Sequence, residues 1–146
     1  MLLGIHHIGL AVRNLDEGIK VYFRVLGIKP SQVHQVPQVG MRAAIYSLGG
    51  VEFELMEPIG TEGPLAKFIE TRGEGIHHIC LQVDDIDKEL KRLSAEGVKL
   101  VDTEARQGLE GRVAFIHPKA TGGVLIELLQ KAPASTSNRA VSNGEG

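Results

Sequence analysis

The chain has 146 residues, of which 42% are hydrophobic and 23% are charged. This length fits one domain or two small fused halves and excludes a large multidomain enzyme. The 16 basic residues against 18 acidic residues leave a net charge of −2. The sequence therefore has no excess positive charge for holding nucleic acid or an anionic membrane, which argues against both classes of binding protein.

The N-terminal segment and the cysteine content bear on location. No apolar run approaches the roughly 20 residues that span a bilayer, and the first 12 residues lack the basic flank and cleavage site of a signal peptide. Cys80 is the single cysteine, so it forms no internal disulfide, which agrees with a reducing compartment. We therefore expect a cytoplasmic protein.

An internal repeat organises the chain. Residues 4–12 (GIHHIGLAV) recur 71 positions later as residues 75–83 (GIHHICLQV), and the closing segments 49–55 and 122–128 share Gly-Gly-Val and Glu-Leu. Each half reads as a strand, a helix and three further strands. The sequence therefore predicts an α+β fold of two tandem βαβββ modules, over about residues 4–58 and 75–130, with a linking helix at about 63–72.

Capping residues mark the two main helices. Asn14 is expected to begin the first helix and Gly27 to end it, while Asp84 or Asp85 begins the second helix and Gly97 ends it. The remaining strands are expected near residues 29–36, 41–48, 51–57, 98–101, 111–117 and 123–129.

The last 16 residues differ in composition from the rest of the chain. Residues 131–146 contain Val141 as their only large apolar side chain, so they bury too little surface to offset the entropy lost on ordering. We expect a single domain over residues 1–130, followed by a disordered tail over 131–146.

Strand alternation places four potential metal ligands on one face of the sheet. In the repeated strands His7 and His78 lie opposite the apolar residues that pack under the helices, and in the closing strands Glu54 and Glu127 do the same. Two buried carboxylates on an enclosed face need a cation or protons to neutralise them. Two imidazoles and two carboxylates suit a divalent first-row transition ion.

Four other side chains have simpler interpretations. The same alternation places His6 and His77 on the helix side, where we expect hydrogen-bonded core residues. His34 is expected to be a surface strand residue, and Cys80 a small buried apolar residue beside His78.

The repeated segments resemble the vicinal oxygen chelate superfamily. The likeness covers nearly all of residues 4–130, and segments 113–119 (VAFIHPK) and 123–128 (GVLIEL) bring it closest to the methylmalonyl-CoA epimerase family. The resemblance implies that the paired modules form a curved mixed sheet, a cup around one divalent metal, with helices on the outer face. It also implies cobalt as the metal, with manganese, nickel and zinc as alternatives, and as ligands His7, Glu54, His78 and Glu127.

The resemblance further implies a reaction. It is the epimerisation of methylmalonyl-CoA at C2 through a metal-stabilised enolate, in propionyl-CoA metabolism. Because cup-shaped modules of this size commonly dimerise across a sheet edge or a helix face, we expect a homodimer. We expect Glu127 first and Glu54 second as the bases that move the C2 proton. Some family members carry a further acid in the first module where this chain has residues 40–44 (GMRAA), so the base for each face stays open.

Three alternative functions share this fold. Glyoxalase I acts on a glutathione hemithioacetal and uses the same kind of donor set, although the His-Pro-Lys and Gly-Glu-Gly-Ile-His-His segments favour the epimerase. A ring-cleaving dioxygenase uses two histidines and one carboxylate, and the second carboxylate here argues against it. A non-catalytic small-molecule binding protein would be expected to have lost ligands, and none is lost.

Overall fold

The computed structural model describes residues 1–133. Three helices and eight strands occur in this part of the chain, and two short 3-10 turns lie at Pro37–Val39 and Pro118–Ala120. The helices are α1 (Leu15–Leu26), α2 (Pro64–Arg72) and α3 (Ile86–Ala95). The strands are β1 (Leu2–Ala11), β2 (Gln32–Val36), β3 (Met41–Leu48), β4 (Val51–Pro58), β5 (Gly75–Val83), β6 (Arg106–Gln107), β7 (Gly111–Ile116) and β8 (Ile126–Lys131).

All eight strands form one curved mixed sheet in the order β2-β3-β4-β1-β5-β8-β7-β6. The first strands of the two modules, β1 and β5, pair antiparallel at its centre, and each is flanked by the parallel closing strand of its own module, β4 or β8. This arrangement confirms the predicted α+β fold with its curved sheet.

The helix boundaries follow the predicted capping residues. The Asn14 side chain accepts a hydrogen bond of 3.0 Å from the backbone N–H of Glu17, and Gly27 closes α1 in the left-handed conformation. Asp85, rather than Asp84, begins α3 by accepting a 3.1 Å bond from the N–H of Lys88.

Two matching hydrophobic clusters lie between the sheet and the helices. In the first module Leu10 and Val12 pack with Leu15 of α1, as strand alternation predicts. In the second module Val83 packs with Ile86 and other residues of α3. The burial of these apolar residues orients each strand and leaves its alternate side chains on the opposite face of the sheet.

Helix α2 joins the modules and lies on the opposite face from α1 and α3. Its residues Leu65 and Ile69 pack on Ala11 and Met56, which alternate with the residues under α1. One end of the face that carries the predicted ligands is therefore covered by α2. None of the described helices is long and apolar enough to cross a membrane.

Two predicted strands differ from the structure. Residues 98–101 form only an isolated bridge, from Leu100 to Ile116, although Val98 and Leu100 pack against the second hydrophobic cluster as a strand would. The short β6 takes the edge position beside β7. Strand β8 begins at Ile126 rather than at residue 123, because Gly122 and Gly123 turn with positive φ angles.

The predicted tail falls mostly outside the described residues. Lys131 still belongs to β8, one residue beyond the expected boundary of the domain. Residues 134–146 lie outside the part of the chain that the structure describes.

Candidate metal centre

The two predicted histidine ligands meet at the centre of the sheet. His7 of β1 and His78 of β5 point to the same face, and their Nε2 atoms lie 2.8 Å apart. Both rings are buried, and they meet edge to face with centroids 5.0 Å apart. The antiparallel pairing of the repeated strands thus brings the two matched imidazoles together.

The two predicted carboxylates approach this pair from either side. Glu54 of β4 has its Oε2 3.7 Å from Nε2 of His7, and Glu127 of β8 has its Oε2 3.6 Å from Nε2 of His78. Donor atoms of His7, His78 and Glu127 all lie within 4.8 Å of one another. We call these four residues, His7, Glu54, His78 and Glu127, the candidate metal centre.

Burial shifts the pKa of every member of this centre toward its neutral form. It lowers the pKa of His7 to about 4 and that of His78 to about 3, and neighbouring imidazoles add to both shifts. It also raises the pKa of Glu54 to about 7, with a contribution from the negative charge of Glu127, and raises the pKa of Glu127 to about 7. At neutral pH the centre therefore offers two neutral imidazoles and two partly ionised carboxyls.

This donor set fits a divalent cation. The ion-pair partners of Glu54 and Glu127 within residues 1–133 are His7 and His78, whose lowered pKa values leave them without positive charge at neutral pH. Buried carboxylates without a fixed cation are costly, and neutral imidazole with carboxylate is a ligand combination of first-row metals. A divalent ion would supply the positive charge that the protein does not.

The strand alternation predicted for His6 and His77 is wrong. The pairing of β1 with β5 shifts register between Ile5 and His7, and again opposite His77. A bulge adds one residue to a strand and changes the direction of the side chains beside it. His6 consequently joins the site, with its Nδ1 2.7 Å from Nδ1 of His7.

His77 occupies the matching position in the second module. Its Nδ1 lies 3.0 Å from Nδ1 of His78, and its ring packs edge to face on Phe68 of α2 at 4.9 Å. Both extra histidines are therefore hydrogen-bonded, as expected, but their partners are the histidines of the candidate metal centre rather than helix or strand ends.

Glu110 is a neighbour of the site that sequence reasoning missed. It lies in the turn between β6 and β7, and its Oε2 is 3.2 Å from Nε2 of His6. Glu52 also has an oxygen within 4.8 Å of donor atoms of these two residues. The only available signal was an acid inside the Gly-x-x-Gly turn of residues 108–111, and a turn residue does not reveal its tertiary partner.

The other residues near the site make simpler contacts. Cys80 is buried, with its Sγ 3.6 Å from Oε1 of Glu127, and burial raises the pKa of its thiol. Arg112 pairs with Asp87 through two contacts, at 2.6 and 2.8 Å, which ties β7 to the start of α3. The Arg106 guanidinium lies over the Phe115 ring at 5.5 Å.

A cleft lies between the two ends of the sheet. It has a volume of about 520 Å³ and is lined by β2 on one side and by Leu109, from the β6–β7 turn, on the other. His34 is half-buried and lines this cleft, so it is less exposed than the sequence suggested. The curvature of the sheet thus brings the edge strand β2 near the turn that carries Glu110.

Comparison with known proteins gives consistent results. Residues 6–115 match the model of the Glyoxalase/Bleomycin resistance protein/Dioxygenase superfamily. The chain is 34% identical over 128 residues to mitochondrial methylmalonyl-CoA epimerase of Mus musculus, which covers 86% of this chain and 72% of that protein.

Two solved structures extend the likeness to three dimensions. The structure of methylmalonyl-CoA epimerase from Mycobacterium tuberculosis is 36% identical with a TM-score of 0.80, covering 96% of this chain and 93% of that one. A methylmalonyl-CoA epimerase in complex with methylmalonyl-CoA and NH4+ is 32% identical with a TM-score of 0.79, covering 92% of this chain and 99% of that one.

Proposed function

Because the chain belongs to the methylmalonyl-CoA epimerase family of the vicinal oxygen chelate superfamily, we propose that it interconverts the (2R) and (2S) epimers of methylmalonyl-CoA with the help of a bound divalent metal. The chain is an isomerase of the epimerase type. The observation that carries the metal-dependent mechanism is the convergence of two neutral imidazoles and two buried carboxyls at the centre of the sheet.

In this proposal the four residues of the candidate metal centre hold the ion. His7 and His78 would each bind the ion through Nε2, and Glu54 and Glu127 would supply negative charge. The ion held by these residues would supply Lewis acidity toward the thioester carbonyl oxygen and would stabilise, by several kcal/mol, the charge that develops when the C2 proton leaves. We propose one ion per chain, with cobalt as the first candidate and manganese, nickel and zinc as alternatives.

The two carboxyls are also the proposed acid and base. Epimerisation requires that a proton leave one face of C2 and return to the other. Glu54 and Glu127 lie on strands that flank the central β1–β5 pair on opposite sides, which supports assigning one acid to each face of C2. In the metal-free centre burial raises both pKa values to about 7. A carboxyl that leaves or loosens from the metal would return toward such a pKa, near the working pH, where it can both accept and donate a proton.

Assembly and location are further parts of the proposal. We propose a homodimer, because cup-shaped modules of this size commonly dimerise across a sheet edge or a helix face. Cys80 is buried and is the single cysteine of the sequence, which agrees with a reducing compartment, and we propose the cytoplasm.

Proton NMR of methylmalonyl-CoA in deuterated water tests the proposal. The protein is loaded with Co²⁺, and a chelator-treated sample serves as the control. We expect the C2 proton signal to disappear, and one epimer to convert into the other, only in the metal-loaded sample.

A persistent C2 signal with one metal bound per chain would overturn the epimerase assignment. The same sample would then be offered the glutathione hemithioacetal of methylglyoxal, because glyoxalase I uses a similar ligand set. Exchange that continues unchanged after complete metal removal would instead refute the metal-dependent step and leave epimerisation standing.

A further inference from the structure

A continuous chain of ring contacts leads from Glu110 to the candidate metal centre. The Glu110 carboxylate lies 3.2 Å from Nε2 of His6, and Nδ1 of His6 lies 2.7 Å from Nδ1 of His7. Nε2 of His7 then lies 2.8 Å from Nε2 of His78, whose Nδ1 is 3.0 Å from Nδ1 of His77. His6, His7 and His78 are buried, so solvent does not compete strongly for the contacts between their rings, while the Glu110 carboxylate at the outer end is half exposed.

The Glu110 carboxylate sets the direction in which hydrogen bonds are donated along these rings. An ionised carboxylate only accepts hydrogen bonds, whereas a neutral imidazole carries one N–H and one lone pair. Glu110 therefore favours the proton of His6 on Nε2, which leaves Nδ1 of His6 as an acceptor. That acceptor favours a proton on Nδ1 of His7, and His7 keeps its Nε2 lone pair on the side of the candidate metal centre.

We propose that Glu110 and His6 are positioning residues that hold His7 in the tautomer able to bind a metal through Nε2. A carboxylate that orients a metal-binding histidine through its other ring nitrogen is a general device of metal sites. Here the device is one residue longer, because His6 stands between the acid and His7. The functional meaning of this relay rests on the metal site proposed above.

The two modules differ in the neighbours of the extra histidine and in the tautomer of the predicted ligand. His77 occupies the place of His6, but its described ring neighbours are His78 and Phe68. In the metal-free protein the direction set by Glu110 places the proton of His78 on Nε2, where it donates to His7. The relay therefore prepares His7 for the metal, whereas His78 must move its proton to Nδ1 when the ion binds.

Long-range ¹H–¹⁵N NMR of the imidazole rings tests the inference in the metal-free protein at pH 8. We expect His6 with Nε2–H, His7 with Nδ1–H and His78 with Nε2–H. In Glu110→Ala the His7 signals should shift toward a mixture of tautomers. Glu110→Gln retains an acceptor oxygen and should retain the wild-type pattern at His7.

Glu52→Gln is the matched charge control. It removes a negative charge from the same surroundings without cutting the relay, so the ring tautomers should stay as in wild type. Wild-type His7 carrying its proton on Nε2, or a tautomer pattern in Glu110→Ala that equals wild type, would overturn the relay.

Cobalt titration supplies the functional readout. We expect Glu110→Ala to bind Co²⁺ about 10-fold more weakly than wild type, at the lower end of the effect of removing an outer partner of a metal ligand, and Glu52→Gln to lose less. Equal losses in these two variants would assign the effect to charge alone and contradict the relay. A wild-type protein that binds no Co²⁺ would refute the proposed metal site, while the NMR spectra would still decide the tautomers.

Discussion

Replacing Glu127 with glutamine should stabilise the metal-free protein at pH 8 while removing most of its stabilisation by cobalt. Burial raises the pKa of this carboxyl from 4.5 in its ordinary state to about 7. Each pKa unit is about 1.4 kcal/mol, so keeping Glu127 ionised costs the fold about 3 kcal/mol at pH 8. Glutamine has nearly the same shape and no charge to desolvate.

The direction of the pH dependence follows from comparing the folded and the unfolded protein. The unfolded carboxyl ionises first as the pH rises from about 4.5, and the folded one follows only near pH 7, so the folded protein loses stability across this window. We expect Glu127→Gln to gain about 1 to 3 kcal/mol at pH 8 and progressively less as the pH falls toward 4.5.

Urea unfolding at several pH values, with chelator or with excess Co²⁺, measures this effect. A ligand at 100 times its Kd stabilises a folded protein by about 2.7 kcal/mol, and the variant should lose most of that gain. Glu104→Gln, at an exposed position of the segment before β6, is the control and should stay within about 0.5 kcal/mol of wild type. If metal-free Glu127→Gln is less stable than wild type at pH 8, the assumed cost of the buried charge is wrong.

Three further predictions concern the two acids and the first helix. At cobalt concentrations that load each variant, Glu127→Gln and Glu54→Gln should each lower epimerisation by about 10²- to 10⁴-fold. In deuterated water each variant should still exchange the C2 proton of one epimer, and the two variants should act on opposite epimers. Loss of exchange for both epimers in both metal-loaded variants would refute one acid per face. Cobalt affinity should fall about 100-fold from pH 8 to pH 6, because both carboxyls, whose pKa values are near 7, must lose their protons to bind the ion. Calorimetry in buffers of different ionisation enthalpy should detect about one proton released per ion at pH 7. An affinity that does not change with pH would contradict the interpretation of Glu54 and Glu127 as buried acids. Gly18→Ala should raise the free energy of unfolding by about 0.5 to 1 kcal/mol, because alanine loses less conformational freedom than glycine in a helix. The added Cβ would meet its nearest neighbour, Leu55, at 3.4 Å, an ordinary contact distance. A loss of stability in urea unfolding would show that this face of α1 has no room for the methyl group.

Much of the fold and the placement of the four site residues could be predicted from the repeat. Two copies of one segment place His7 and His78 at matching positions, and strand alternation then turns Glu54 and Glu127 to the same face. These are local rules, and the pairing of β1 with β5 obeys them wherever the register is regular. Ligation by these residues remains a prediction.

The part that could not be predicted depends on departures from regular geometry. A bulge in each central strand turns His6 and His77 toward the site, and no local pattern in the sequence marks a bulge. Glu110 reaches His6 only because the curved sheet brings the β6–β7 turn over β1. Residues 98–101 alternate like a strand and bury Val98 and Leu100 accordingly, yet they pair with β7 only through one isolated bridge.

The closing strand of each module links the site to its helix. Three residues after Glu54, the Glu57 side chain accepts a 2.7 Å bond from the backbone N–H at the start of α1, and three residues after Glu127, Gln130 accepts a 2.9 Å bond at the start of α3. An odd spacing along a strand places side chains on opposite faces. Each closing strand therefore presents its acid to the candidate metal centre while its other face holds the first turn of the helix that covers the core. Because both modules do this, the two acids sit at matched places on either side of the central pair, in keeping with the proposal that each moves a proton on one face of the same carbon.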